Sequence, residues 1–207
     1  VVITNYPSNQ VEWIDAPLNM ENEELGTRKI AFGKYLYIEK EDFVVEKPNK
    51  KWKRLAKDVE VRLMHAYFIK CNDVIYDENN EIVEIHCTYD PKTKCGLGFD
   101  ERKPNGTIHF VEATTSLKAT FNLFNPLIED VTEETKELSF LERVNKNSWE
   151  VKHGFVESYL KDTKPLTHYQ FVRNGYYTTD KLSTSDNLIF NRTCTLKSSF
   201  TVDNNKN

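Results

Sequence analysis

Short runs of β-branched and aromatic residues, set apart by turn signals, constrain this chain more than any other feature. Segments 1–5, 11–15, 34–39, 59–70, 73–76, 82–88, 107–112, 118–124, 149–152, 168–172 and 176–178 each read as a strand. Two junctions carry hairpin chemistry. Asp77-Glu-Asn-Asn-Glu81 joins two apolar-alternating runs. Asn174-Gly175 joins the run ending at Val172 to Tyr176-Tyr177, and Asn-Gly suits a tight primed turn whose two central residues take positive φ. Many short strands with turns between them point to barrels or sandwiches rather than a βαβ sheet. About eleven strands exceed one small barrel, so an all-β chain of two packed antiparallel barrels with a minor helix is expected. The helix is placed at 138–145, where Leu138, Leu141 and Val144 recur at three-residue spacing, after an acidic segment at 129–137. Residues 201–207 read as a polar tail.

The hydrophobic share, 39%, with 12% aromatic residues, is too high for a disordered chain. No apolar run approaches the ~18 residues of a membrane-spanning helix. The opening VVITNYPSNQ has no basic region followed by an apolar one, so it is not read as a signal peptide. It lacks an initiator Met and starts on a strand-like run, so a fragment of a longer chain is expected. Cys71, Cys87, Cys95 and Cys194 form no Cys-x-x-Cys pair, and no His pair sits at zinc spacing. Free thiols and no metal site follow. Phosphate-cradling glycine loops, a Gly-x-Ser-x-Gly elbow and His-Glu-x-x-His are absent, and the five histidines are scattered. The weight moves from a self-contained active site to a binding module, with no catalytic residue and no cofactor expected.

Three clusters suit single-stranded nucleic acid. Residues 47–57, KPNKKWKRLAK, hold six cations (Lys47, Lys50, Lys51, Lys53, Arg54, Lys57), no acid, and Trp52 in the middle, within a chain of formal charge −4. Cations draw phosphates and a base can stack on the indole; a solvated charged loop is the alternative. In 59–67, alternation places Val59, Val61, Leu63 and His65 on one face and Glu60, Arg62, Met64 and Ala66 on the other, so Arg62 projects away from the apolar side. In 168–173, Gln170 offers a paired donor and acceptor and Arg173 a planar fork, groups that read base edges; both also fit an exposed hairpin.

An ordered set of short blocks resembles the C-terminal anticodon-binding region of the glutaminyl-tRNA synthetases, class I aminoacyl-tRNA synthetases. The blocks are VVITNY at 1–6, LGTR at 25–28, KRL at 53–55, EVRL at 60–63, AY at 66–67, CTYD at 87–90, GTIH at 106–109, KHGF at 152–155, QFVRNGY at 170–176 and FNRT at 190–193. The resemblance implies two antiparallel barrels, similar to a ribosomal protein that binds the small RNA of the large ribosomal subunit. The first would span 20–113; the second would combine 1–19 with 114–200. It implies that Gln170 and Arg173 read the middle anticodon base, a uracil. Lys53 and Arg54 would serve the third base and its phosphates, with Lys51 beside them, and Trp52 would stand where the family keeps an aromatic. Arg62 would lie by the first base. Two positions depart from the best-known bacterial pattern: Met64 replaces an arginine beside the first-base pocket and Lys51 a glutamine. Losing a guanidinium fork removes a set of donors, so first-base discrimination is expected to be looser or to be served by other groups.

The implied partners are the anticodon loop of tRNA(Gln) and an N-terminal catalytic domain of the same chain, carrying HIGH and KMSKS signatures that are not in this sequence. The parent would be a cytoplasmic, monomeric glutamine–tRNA ligase using ATP with Mg, without membrane contact, and this chain alone would be inactive. Two alternatives stand beside it. One is the archaeal and eukaryotic type of glutamyl-tRNA synthetase. The other is a ribosome-associated RNA-binding barrel that is not an enzyme.

Overall fold

The computed structural model describes residues 1–128, 131–132 and 135–196. Among them the chain is strands joined by loops and short 3-10 turns, the longest of these Ser158–Asp162. It divides into two units: Val1–Ser116 with Phe155–Tyr159, and Leu117–Gly154 with the residues from Leu160 onward.

The first unit holds β1 (Val2–Ile3), β2 (Val11–Pro17), β3 (Thr27–Gly33), β4 (Leu36–Tyr37), β5 (Phe43–Val44), β6 (Leu55–Ala56), β7 (Glu60–Leu63), β8 (Phe68–Tyr76), β9 (Ile82–Asp90), β10 (Thr107–Ile108) and β11 (Val111–Glu112). A five-stranded sheet runs β1-β9-β8-β7-β10, beside the pairs β2-β3, β4-β11 and β5-β6. β1 pairs with β9 in parallel, and β2 pairs with β3 over seven residues. Residues 1–19 therefore belong with the first unit, in contrast to the expectation that they complete the second barrel. Phe32, fully buried, anchors this core: Tyr6, Tyr67, Tyr89 and Phe110 pack around it at 4.9–6.0 Å between ring centres. Burying a side chain of that size contributes about 2–3 kcal/mol.

The second unit holds β12 (Leu117–Phe124), β13 (Trp149–Val156, whose last residues fall in the first unit), β14 (His168–Phe171), β15 (Gly175–Thr179) and β16 (Leu188–Cys194), in the order β13-β12-β16-β15-β14. Alternation sends Phe121, Phe171, Tyr177 and Phe190 to one face, where ring centres lie 5.0–5.8 Å apart.

Among the described residues the all-β class holds, but the sheets do not close into barrels and are not purely antiparallel. β1-β9, β7-β10, β5-β6 and β12-β16 are parallel pairs. Two-residue strands add little ladder, and the loops between them turn the chain without extending it.

The helix expected at 138–145 is a run of turns. Ser139 starts a single turn: its N–H and hydroxyl both donate to Glu142 Oε2, and its carbonyl accepts from the N–H groups of Glu142 and Arg143. Val144 then bridges Ile128, and the Asn145 N–H donates to Leu127 O, which ends the turn. Leu138 and Leu141 are exposed, so the three-residue spacing has no core to face. The acidic segment at 129–137 lies partly, and the tail at 201–207 wholly, outside the described residues.

Candidate nucleic-acid interface

In the first unit, residues 47–57 are not a free loop. Asn49 starts a turn, its side-chain oxygen accepting from Lys51 N (2.9 Å) and its carbonyl from Trp52 N (3.2 Å). Trp52 Nε1 donates to Leu55 O at 3.3 Å. Leu55 and Ala56 then enter the core as β6, parallel to β5. The apolar Leu-Ala pair thus anchors one end of the basic run, while Lys47, Lys50, Lys51, Lys53 and Lys57 remain exposed.

Asn105 and Gly106 hold this loop from outside. Asn105 Nδ2 donates to the carbonyls of Trp52 (2.9 Å) and Arg54 (3.2 Å), and its Oδ1 accepts from Lys47 Nζ (2.9 Å). Gly106 passes so close to Lys53 that a Cβ there would lie 1.9 Å from the Lys53 carbonyl oxygen. On its other side the segment is zipped to β7: Asn105 N donates to Glu60 O (2.9 Å) and Arg62 N to Gly106 O (2.8 Å). Lys53, Arg54 and Arg62 are thereby brought onto one scaffold. Sequence reasoning missed Asn105; its signal was the Asn-Gly dipeptide, which reads only as a turn.

The cations differ in how they are held. Lys53 points into solvent. Arg54 sits 5.7 Å from the centre of the Trp52 ring, donates to Glu41 O (2.7 Å) and faces the Asp42 carboxylate at 3.4 Å. Arg62 lies over Phe68 at 4.2 Å and donates to the carbonyls of Ala66 and Thr93, both at 3.2 Å. Its guanidinium thus packs against its cross-strand partner Phe68, on the face opposite the buried Val61 and Leu63. The alternation expected through His65 stops at Leu63, because His65 takes a positive φ of 61° in the turn between β7 and β8. Met64 is half-buried in that turn, its N–H donating to Ile108 O.

Arg102, also outside the sequence reading, pairs with Glu60 and Asp90 at 2.8 Å and lies near the rings of Phe68 and Phe99. Its guanidinium, with the Lys92 N–H, holds the Asp90 carboxyl below the usual range.

In the second unit, β14 and β15 form the hairpin that carries the other two predicted residues. Gln170 is paired with Tyr176 and Phe171 with Gly175. Gln170 is exposed on the face opposite the aromatic core. Residues 172–174 make the turn, closed by Asn174 N donating to Phe171 O at 2.8 Å. The positive φ values fall on Arg173 (72°) and Gly175 (148°), not on Asn174 and Gly175 as the primed-turn reading expected. Gly175 is required because a Cβ would lie 2.7 Å from Cys194 O. Arg173, a predicted base reader, therefore sits in a backbone region that few non-glycine residues occupy. Across the same outer face runs a directed chain of side-chain hydrogen bonds. Trp149 Nε1 donates to Asn122 Oδ1, Asn122 Nδ2 to Asn191 Oδ1, and Asn191 Nδ2 to Asp180 Oδ2.

Two family profiles, both described as "tRNA synthetases class I (E and Q), anti-codon binding domain", match residues 1–90 and 107–180. The chain belongs to this anticodon-binding family. Glutamine–tRNA ligase of Clostridium perfringens is 51% identical over 201 residues, which is 97% of this chain and 36% of the relative. That of Clostridioides difficile is 48% identical over 202 residues, with the same two shares. The enzyme of Psychromonas ingrahamii is 41% identical over 202 residues. The chain thus spans about a third of the length of the curated relatives it matches. Among the described residues no helix is long and apolar enough to cross a membrane.

Proposed function

We propose that this chain is the anticodon-reading part of a glutamine–tRNA ligase. It binds the anticodon loop of tRNA(Gln), and a catalytic domain elsewhere in the parent protein attaches glutamine with ATP and Mg in the cytoplasm. The observation that carries the reading is the β14-β15 hairpin, with Gln170 exposed on the outer face and Arg173 in its turn. An amide with paired donor and acceptor and a planar guanidinium fork are the groups that discriminate base edges, and splayed bases of a loop expose those edges. The pinned basic loop supplies the sequence-independent part. Lys53 and Lys51 meet phosphates directly, while Arg54, stacked near Trp52, presents a cation already oriented for the third base. Arg62 and Met64 flank the first base, and with one fork fewer there that base is read loosely. The two-barrel description belongs to the family; in this chain the same role is served by two open β-sheet units.

The family description covers both glutamate and glutamine enzymes, and the relatives reported above are glutamine–tRNA ligases, which favours the glutamine reading over the glutamyl one. A titration of the chain with the anticodon stem-loops of tRNA(Gln) and tRNA(Glu) at low salt tests it. Tighter binding to the glutamine loop is expected; equal or absent binding to both would sink the proposal.

A further inference from the structure

The sheet face that carries Gln170 also carries an exposed aromatic ring that the sequence reading left unassigned. Tyr176 is the cross-strand partner of Gln170 and is 45% exposed. Directly opposed residues of an antiparallel pair share a face, with Cβ atoms about 4.5–5.5 Å apart. Strand alternation gives the neighbours of both residues to the other side: Tyr169 donates to or accepts from Thr163, and Phe171 and Tyr177 pack in the aromatic core. Among the described residues, the ring contacts of that core are made by Phe121, Phe171, Tyr177 and Phe190 and do not include Tyr176.

The backbone around Tyr176 is built with care. The β15-β16 pairing passes from Tyr176 opposite Cys194 to Tyr177 opposite Arg192, so Thr193 is the extra residue of a bulge. The Thr193 hydroxyl donates to Tyr176 O at 3.1 Å, fixing the bulge to this residue. Bulges re-aim side chains and are enriched beside functional sites. Within four residues the hairpin therefore holds a left-handed Arg173, an obligatory Gly175 and Tyr176, which faces the bulge on β16.

We infer that Tyr176 is the stacking platform for the base whose edge Gln170 reads. An unpaired base is held by stacking on an aromatic face and told from other bases by hydrogen bonds at its edge, and one cross-strand pair offers both groups here. The roles separate. Stacking tolerates any base, because each has a π-face, whereas the Gln170 amide tells one edge from another. The inference rests on the anticodon-reading role proposed above.

The test uses this chain, Tyr176→Ala, Tyr176→Leu and Tyr176→Phe, titrated with the glutamine anticodon stem-loop, with a loop carrying another base at the middle position, and with a loop abasic there. Tyr176→Ala and Tyr176→Leu should each lose about tenfold in affinity for both base-bearing loops, leaving their ratio unchanged, and Tyr176→Phe should bind as wild type. On the abasic loop all four proteins should bind equally. Wild-type affinity of Tyr176→Ala for the base-bearing loops, or a loss that persists on the abasic loop, overturns the inference while the anticodon reading stands. Failure of the unsubstituted chain to bind any loop removes the anticodon reading itself, and this inference with it.

Discussion

The α-carbon of Gly106 faces the backbone carbonyl of Lys53 so closely that no side chain fits between them. The neighbour that would be struck is backbone, so the conflict cannot be relieved by a rotamer change. Gly106→Ala is expected to push the 52–54 loop outward, at a stability cost of about 1–3 kcal/mol. Affinity for the anticodon stem-loop should fall at least tenfold. Thermal unfolding followed by circular dichroism, with binding measured well below the midpoint, checks both. Wild-type binding in Gly106→Ala would mean that the loop's position is irrelevant to RNA.

Asn105 provides a milder version of the same test. Asn105→Ala removes the donors to the Trp52 and Arg54 carbonyls and costs about 1 kcal/mol. Trp52 fluorescence should shift with little loss of overall fold. An unchanged emission spectrum would show that the loop keeps its place without the clamp.

Lys53 and Arg54 are neighbours in sequence but differ in how their charge is already spent. Lys53→Ala should leave stability unchanged and lower the slope of log affinity against log salt by about one. Arg54→Ala removes a pairing with the nearly inaccessible Asp42 carboxylate and the bond to Glu41 O, so it should lower the melting temperature as well. If both substitutions change the slope and neither changes stability, the distinction between a solvent-facing and a structural cation fails.

The first unit carries a pH-dependent element. Burial alone would push the Glu157 carboxyl up, but two hydrogen bonds from Arg28 (2.6 and 2.9 Å), with help from His109, hold it at about 2 against an ordinary value of 4.5. A carboxyl depressed on folding stabilises fully above its unfolded value and loses that contribution as pH falls through the folded one. Both side chains are 17% exposed, so the contribution is on the order of 3 kcal/mol, lost between pH 4.5 and 2. Urea denaturation in that window should show the slope, and Glu157→Gln should flatten it. An equal slope in both proteins would assign the acid sensitivity elsewhere.

Much of this was legible in the residues, and the failures have physical causes. The Asp77–Glu81 hairpin stands where the turn chemistry put it: Asp77 Oδ1 accepts from the N–H groups of Asn79 and Glu81, and Asn80 takes the positive φ. β3 was missed because its charged start, Thr27-Arg-Lys, hides a strand whose burial begins only at Ile30. β16 was missed because Asn191 and Arg192 are poor strand residues in isolation; Asn191 earns its place by bonding across the outer face to Asn122 and Asp180. The strand read through 59–70 folds back at His65, a bend that local propensity does not encode. In the candidate site, the exposure of Gln170 and of the lysines is what their residue types suggest. The placement of Asn105, Arg102 and Tyr176 is not, since it arises from strand pairing and loop contacts that bring distant residues together.

Arg173 carries the most direct test. Affinity should be measured for wild type and Arg173→Ala against the glutamine anticodon stem-loop and the same loop with its middle base replaced. Wild type should separate the two loops by tenfold or more and Arg173→Ala should bring their affinities close together, since one fork contact to a base edge is worth about 1–3 kcal/mol of discrimination. A ratio between the loops that stays at its wild-type value in Arg173→Ala would contradict the base-reading role of Arg173.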